Sequence, residues 1–225
     1  MNFRQNLQQR RLAGRLMRHH LPIGAASVAV AALLFVTRPY KDVVMKLSFA
    51  TAYPALGLMA LTLLIGPWNY LAGKRMPISS DWRRDVGIWA AVFAIAHTAI
   101  GQDVHLRGRP WLYYVYEHWK KHVVPVRHDL FGFSNYTGLA AALVVVVLLA
   151  TSNDASLRKL GTRRWKKWQR WNYAAFALVG AHAIGYLTIE KQKVLFASMV
   201  VACLLAVVVL QGMGYWRRRR MSDTA

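Results

Sequence analysis

The 225-residue sequence has little cysteine and little acid: one cysteine, Cys203, and nine acidic residues. A single cysteine excludes an intramolecular disulfide, a CxxC redox pair and covalent haem attachment, so we expect Cys203 to be a packing residue. The acidic residues fall mostly in loops and at chain ends. No nucleophile with a base, phosphate-binding loop or paired-carboxylate site is evident, which argues against a hydrolase. Nothing resembles a nucleic-acid-binding module, although the net charge is +21.

Charge is also missing from six long segments of the chain. These uncharged segments are 21–37, 47–73, 86–102, 131–153, 171–189 and 194–216. Each is near or above the roughly 17–25 residues that a helix needs to cross a bilayer core. The sequence therefore predicts an all-α, polytopic membrane protein, a bundle of six transmembrane helices without an internal repeat.

The predicted bundle forms one domain over 21–216, between a basic segment (1–20) and a basic tail (217–225). Its spans are expected at about 21–37, 47–70, 85–102, 131–151, 171–189 and 194–216. The long basic segment before the first span, with no small-residue cleavage site, favours a retained helix over a signal peptide.

The distribution of positive charge predicts the orientation of the bundle. Twenty of the 30 lysines and arginines lie on one side of the membrane if the amino terminus is cytoplasmic. By the positive-inside rule, both termini should then be cytoplasmic, in a bacterial inner membrane. Anionic lipid headgroups explain the basic charge better than a nucleic acid does.

The longest loop, about 103–130, joins the third and fourth spans on the outer side. Its centre, WLYYVYEHWKKH, is rich in Trp and Tyr, which prefer the headgroup level, and predicts a short interfacial helix. A docking surface for a periplasmic partner is a compatible interpretation. The loop holds four histidines, His105, His118, His122 and His128. His118 and His122 have the i, i+4 spacing of metal ligands, but further typical zinc ligands are missing.

Two histidines lie inside predicted spans, His97 in the third and His182 in the fifth. Both spans should enter from the cytoplasmic side, at Arg84 and Arg170, which places both imidazoles about 18–20 Å from that side. Ionisable groups within a membrane are costly and commonly functional. Two facing imidazoles suit the axial positions of a low-spin haem, whereas no carboxylate or cysteine at that depth completes a zinc site. A hydrogen-bonded structural pair and a proton relay are the alternatives.

The segments before these histidines resemble a known family. PWNYLAGKRMPISSDWRRDVGIWAAVFAIAH ends at His97, and TSNDASLRKLGTRRWKKWQRWNYAAFALVGAH ends at His182. In order and spacing, the RR-x-x-G-x-W motif, the TSN motif and the basic-aromatic entry to the fifth span resemble the ferric-reductase-like transmembrane domain family. Within it, they are similar to the MsrQ haem-binding subunits of the periplasmic methionine sulfoxide reductase system. The resemblance covers the second to fifth spans.

This resemblance implies a six-span b-type cytochrome that passes electrons from a cytoplasmic-side flavin or quinol donor to a periplasmic acceptor. In MsrQ, that acceptor is a soluble molybdopterin subunit that reduces methionine sulfoxide. His97 and His182 fall on the family's haem-iron ligand positions. The chain would then be the electron-transfer subunit of an oxidoreductase, with the substrate chemistry in a partner.

One departure from the family concerns Gln169, thirteen residues before His182, where a histidine is usual. Arg84 holds the corresponding position before His97, so we expect one haem b, in the outer half. FMN or a quinone could occupy the inner half; its candidate binding residues are Arg83, Arg84, Arg164, Trp165, Lys166, Lys167 and Gln169. Membrane anchoring is the alternative role for these cations. The alternative function is a structural or assembly subunit of a larger membrane complex, with one haem or none.

Overall fold

The computed structural model describes residues 13–73, 80–121, 123–191 and 194–223. These residues form seven α-helices, which confirms the all-α prediction for the described part of the chain. The helices are α1 (Leu21–Thr37), α2 (Val43–Leu71), α3 (Ser80–Gly101), α4 (Leu130–Thr151), α5 (Asp154–Gln169), α6 (Trp171–Ile189) and α7 (Val194–Asp223). A π-helical turn, Leu16–His20, runs directly into α1. Residues 1–12 of the predicted basic segment, Lys74, Arg75 and His122 lie outside the described residues.

Within the described residues, five helical segments are long and apolar enough to cross a membrane, which confirms a multi-span membrane protein. They are Ala13–Thr37, Val43–Leu71, Leu130–Thr151, Asp154–Ile189 and Val194–Ser222. The third predicted span falls on α3, which has 22 residues but begins with charged turns and is not among the five. The count of six spans and the cytoplasmic position of the termini stay predictions. We call the end of the bundle that carries the 103–130 loop the outer end, and the opposite end the inner end.

Polar side chains fix where three of the helices begin. The Asp42 carboxylate accepts a hydrogen bond from the Met45 N–H at 2.9 Å, and the Asp129 carboxylate accepts one from the Gly132 N–H at 2.7 Å. Asn153 caps α5 in the same way. Such caps satisfy backbone N–H groups that have no partner within the helix.

The segment between the fourth and fifth predicted spans contains α5. This basic helix is kinked at Gly161, whose φ of +70° is a conformation that glycine adopts without a steric penalty. The kink and the capping Asn153 let a short, strongly charged segment fold as a helix next to α6.

The predicted interfacial helix in the outer loop is replaced by two short 3-10 turns, Pro110–Tyr113 and Trp119–Lys121. Between and after them, the backbone pairs Val115 with Val126 in an isolated antiparallel bridge. Tyr113 is only 1% exposed. The loop therefore folds back onto the helix ends, because its tyrosine packs inward.

The bundle is built from two closely packed helix pairs, α2 with α3 and α4 with α6, and α7 packs mainly on α2. Side chains from these helices form the apolar core, whose most buried members include Leu63, Ala60, Ala175, Val200 and Val207. Helix α1 lies outside this core and contacts mainly α2. The two helix pairs thus enclose the space in which His97 and His182 lie.

The completely buried side chain of Asp85, on α3, holds the start of the first helical segment. Its carboxylate forms an ion pair with Arg15 and lies 2.7 Å from His19 Nδ1 and 3.2 Å from His20 Nε2. Both histidines belong to the π-helical turn, a local widening of the helix that is common where side chains have a special role. We call these four residues the Asp85 clasp.

Candidate functional site

The imidazole rings of His97 on α3 and His182 on α6 lie next to each other inside the bundle. Their ring centroids are 6.1 Å apart and their planes are inclined at 74°. Each ring comes from a different helix pair, so the packing of α2–α3 against α4–α6 sets the distance between them. The structure thus brings together the two histidines that the sequence placed at equal depth.

Backbone carbonyls of neighbouring helices hold both imidazoles. His97 Nδ1 lies 2.9 Å from the Ser48 carbonyl oxygen on α2, and His182 Nδ1 lies 2.8 Å from the Ser134 carbonyl oxygen on α4. A carbonyl oxygen only accepts, so Nδ1 carries the proton in each ring and Nε2 keeps its lone pair. Neither Nε2 atom forms a hydrogen bond with any of the described residues. Metal-binding histidines adopt this tautomer when the ring nitrogen that does not bind the metal donates a hydrogen bond to a carbonyl.

Two glycines allow α4 and α6 to approach closely beside His182. A Cβ atom on Gly138 would lie 2.5 Å from His182 Nδ1. A Cβ on Gly185 would overlap the hydroxyl oxygen of Ser134. Real Cβ atoms do not come so near to other atoms, so the position of the His182 ring depends on glycine at both positions.

A cavity of about 280 Å³ runs between the two helix pairs and includes both imidazoles in its wall. At the level of the histidines, its lining is dominated by small residues, among them Ala94, Gly138, Ala142 and Ala183. The outer end is lined by His105, Gln102, Tyr186 and Glu190, and the inner end by Arg83, Arg84, Gln169 and Asn172. The cavity is therefore apolar in its middle and polar at its two ends.

The spacing of the rings fits a single metal bound between them. A metal held by both Nε2 atoms needs ring centroids roughly 6 Å apart, because each metal–imidazole bond is about 2 Å and each ring centre lies about 1 Å beyond its nitrogen. The observed 6.1 Å agrees with this requirement. No group of three or more His, Cys, Asp or Glu side chains in the described ranges could hold a metal ion. A planar cofactor that brings its own four nitrogens to the metal suits this donor set better than a bare ion does.

Aromatic and polar side chains close the outer end of the cavity. Tyr186, one turn beyond His182, lies 4.9 Å from that ring and donates a hydrogen bond to Asn135 Oδ1 at 2.9 Å. His105 stacks on Tyr186, with planes inclined at only 20°, and its Nε2 lies 3.0 Å from Glu190 Oε1. The sequence pointed to His105 only as a loop histidine and missed its partners. The spacing of four residues between His182 and Tyr186 was the one signal that could have found Tyr186.

Tyr113 fixes the loop above the cavity. Its hydroxyl accepts a hydrogen bond from the His105 backbone N–H at 2.8 Å and donates one to the Gly101 carbonyl at 3.0 Å. Burial raises the pKa of the Tyr113 phenol, so the hydroxyl keeps the proton that it donates. The outer loop is thereby tied to the end of α3, the helix that carries His97.

Only three of the residues predicted to bind a flavin or quinone, Arg83, Arg84 and Gln169, line the inner end of the described cavity wall. Arg84 is paired with Asp154 and Asp81, and Arg83 Nε donates to the Thr62 carbonyl at 3.1 Å. Gln169 Nε2 donates to the Thr151 hydroxyl at 3.3 Å.

The remaining predicted residues of this set lie on α5, away from the cavity. Trp165 donates to the Thr151 carbonyl at 2.9 Å and is half-buried. Arg164, Lys166 and Lys167 are exposed and do not line the cavity. The histidines of the described cavity wall, His97, His105 and His182, all lie in its outer half.

Comparisons with known proteins give distant similarities, of which two are described, and no family model matches the sequence. The chain is 28% identical over 187 residues to the protein-methionine-sulfoxide reductase heme-binding subunit MsrQ of Rhizobium meliloti, which covers 72% of this chain and 86% of that protein. It is also 28% identical over 131 residues to the magnetosome protein MamZ of Magnetospirillum gryphiswaldense. That match covers 58% of this chain and spans only 18% of the length of MamZ. The similarity to MsrQ supports an MsrQ-like relationship and a multi-pass protein of the bacterial inner membrane.

Proposed function

We propose that this chain is a b-type cytochrome subunit with the ferric-reductase-like fold, which binds one haem b between His97 and His182. The observation that carries the proposal is the pair of imidazoles 6.1 Å apart, each with its Nδ1 hydrogen-bonded to a backbone carbonyl. The distant similarity to a heme-binding MsrQ subunit supports it. In this proposal α3 also crosses the membrane, which brings the number of spans to six, and both termini are cytoplasmic.

Haem b, when bound, supplies an iron that accepts and releases one electron at a time. The chain supplies the two Nε2 ligands, and the Ser48 and Ser134 carbonyls orient them. The apolar middle of the cavity excludes water from the site, which is one of the factors that set a haem potential. Because no substrate-converting group is proposed in this chain, it acts as a subunit of an oxidoreductase rather than as an enzyme on its own.

The inner end of the cavity is the proposed entry point for electrons. The Arg84 cation is already paired with two carboxylates, and Arg83 Nε donates to a carbonyl. The polar groups beside them, on Gln169, Asn172 and Ser152, are neutral. A neutral quinol head group therefore suits this end better than the phosphate of FMN, and we propose a quinol as the donor.

The 103–130 loop is the proposed docking surface for the periplasmic acceptor. It exposes the apolar side chains of Trp111 (56%), Val123 and Val124, beside the exposed cation of Lys121. An exposed apolar patch with a charged rim is typical of protein-binding surfaces. By analogy with MsrQ, the acceptor is a soluble periplasmic reductase subunit.

The second candidate is a structural or assembly subunit of a larger membrane complex. Gln169 favours it, because its amide is bonded to Thr151 and the inner half of the described cavity wall contains no histidine. Mixing the purified, haem-loaded protein in lipid nanodiscs with a short-chain quinol separates the two candidates. Reduction of the haem within seconds supports the electron carrier, whereas a haem that only dithionite reduces supports the assembly role.

The haem proposal is tested on the purified protein and on His97→Ala and His182→Ala by a pyridine-haemochrome assay, which gives the haem content, and by the dithionite-reduced minus oxidised spectrum of the untreated protein. We expect about one haem per chain with a low-spin spectrum, and loss of most haem in either variant. His118→Ala, a change at an exposed loop histidine, is the matched control and should keep its haem. A full, unshifted spectrum in both site variants, or a parent protein that binds no haem even after reconstitution, would refute the proposal.

A further inference from the structure

The two proposed iron ligands leave a third histidine of the cavity wall, His105, without a role. It lies in the loop just after α3, and elements on several sides fix its ring. Tyr186 stacks on one face, and Phe131 packs edge-on at 5.7 Å. Its backbone N–H donates to Tyr113, and its Nε2 lies 3.0 Å from Glu190.

The hydrogen bonding of His105 leaves one ring nitrogen available. Glu190 takes up Nε2, and within the described parts of the chain no hydrogen bond uses Nδ1. An imidazolium is a donor at both nitrogens, so such a histidine can bridge two carboxylates, one at each side of the ring. Glu190 is the first carboxylate of this arrangement, and the second has to come from a ligand.

Haem b carries two carboxylates, on its propionate groups, at one edge of an otherwise apolar macrocycle. A carboxylate that enters a cavity needs a charged or hydrogen-bonding partner there. Apart from the two proposed ligands, the cation-forming side chains in the described cavity wall are His105 at the outer end and Arg83 and Arg84 at the inner end. Both arginines lie thirteen or fourteen residues before His97, about 20 Å along α3, and Arg84 is already paired with Asp81 and Asp154, which favours the outer end for the haem carboxylates.

The position of His105 agrees with this arrangement. Tyr186 is one helical turn, about 6 Å, beyond His182 towards the outer end. His105 stacks on Tyr186 and lines the same cavity. It therefore lies further out than the proposed iron ligands, on the side to which one edge of the macrocycle would extend.

We infer that His105 is a positioning residue that binds a propionate carboxylate of haem b at the outer end of the cavity, with Glu190 and Tyr186 holding its ring. This inference rests on the proposed haem-binding function. The two iron ligands alone would leave the macrocycle free to rotate between His97 and His182. In this inference, His105 with Glu190 and Tyr186 fixes that rotation.

The test compares two haems in the purified protein. The apo-protein is reconstituted with haem b or with its dimethyl ester, which lacks free carboxylates, and haem loss to excess apomyoglobin is timed. His105→Phe keeps an aromatic ring against Tyr186 but removes both nitrogens. We expect the variant to lose haem b roughly tenfold faster than the parent, as is typical when a hydrogen bond to a charged group is lost. The dimethyl ester should leave parent and variant at equal rates, and the low-spin spectrum should persist, since both iron ligands are intact.

The outcomes separate this inference from the function on which it rests. Equal acceleration for both haems, or no acceleration for either, overturns the assignment of His105 and leaves the haem proposal standing. A parent protein that binds neither haem overturns both. His118→Phe is the matched control and should change neither rate. If His105→Phe fails to fold, His105→Leu, which also removes both ring nitrogens, replaces it, and the same difference between the two haems is required.

Discussion

The two helix pairs of the bundle hold their histidines in the same way but pack differently. In each pair, the imidazole on the second helix donates to the carbonyl of a serine on the first helix, 49 residues earlier for His97 and 48 residues earlier for His182. Beside His182, however, two glycines let the helices touch, while no glycine Cβ would come comparably near His97. Ser134 is completely buried, whereas Ser48 is 9% exposed and its hydroxyl also lies 3.4 Å from the His97 ring. The α4–α6 pair thus makes this hydrogen bond across a close helix contact at two glycines. The α2–α3 pair makes it across a looser contact, in which the Ser48 hydroxyl also lies near the ring.

This difference predicts where the site breaks first. Gly138→Ala should have the largest effect, because the new Cβ would lie 2.5 Å from His182 Nδ1 and the ring or the helix has to move. We expect about 1–3 kcal/mol lower free energy of unfolding and loss of most bound haem. Unfolding in mixed detergent and the haem content of the purified variant check both.

The control for this change is Gly57→Ala on α2, where a Cβ would meet nothing within 4 Å. It should keep its haem. If Gly138→Ala were as harmless as Gly57→Ala, the α4–α6 pair would not be the tighter of the two, and the contrast between the pairs would be lost.

A smaller effect is expected from Tyr186→Phe, which tests the support specific to the His182 side. The change removes the hydrogen bond to Asn135 and leaves a buried amide oxygen without its donor, at a cost of about 1–2 kcal/mol. Thermal unfolding and the rate of haem loss measure it. Tyr215→Phe on the exposed face of α7 is the control, since that side chain is 68% exposed. Equal stability of the two variants would mean that the Tyr186 hydroxyl contributes nothing.

The smallest effect is expected at the inner ends of the same two helices. Arg84 and Gln169 each stand thirteen residues before a proposed ligand, so Gln169→His places an imidazole where a second haem would need one. Arg84 is held by Asp154 and Asp81 and offers no second ligand. Haem per chain, measured by pyridine haemochrome, should therefore equal that of the parent. A value near two would show that the inner end can supply a partner ligand.

The sequence predicted those features that depend on local composition. Uncharged runs located the helices, and counting from Arg84 and Arg170 placed His97 and His182 at one level. It did not predict the partners of the site, because Ser48, Ser134 and Gly138 meet the histidines only through tertiary packing. The pairing of Arg84 with Asp154 joins residues 70 positions apart, so the charge of the inner end was also misjudged from sequence. Helix α5 was not predicted, because the prediction relied on uncharged runs and this segment is strongly charged. The helix depends instead on its cap and on Gly161.

The Asp85 clasp has a consequence for how the protein is assembled in the membrane. Among residues 13–37 none lines the cavity, so the first helical segment contributes no wall to it. The α3 helix is charged at its start and carries a buried carboxylate, and such a group is costly to place in lipid alone. Since Arg15, His19 and His20 are synthesised first, the cation of Arg15 and the two imidazoles are in place as partners for Asp85 when α3 leaves the ribosome. The first helix would then serve as an insertion partner for the helix that carries His97, a task completed before the proposed haem is bound.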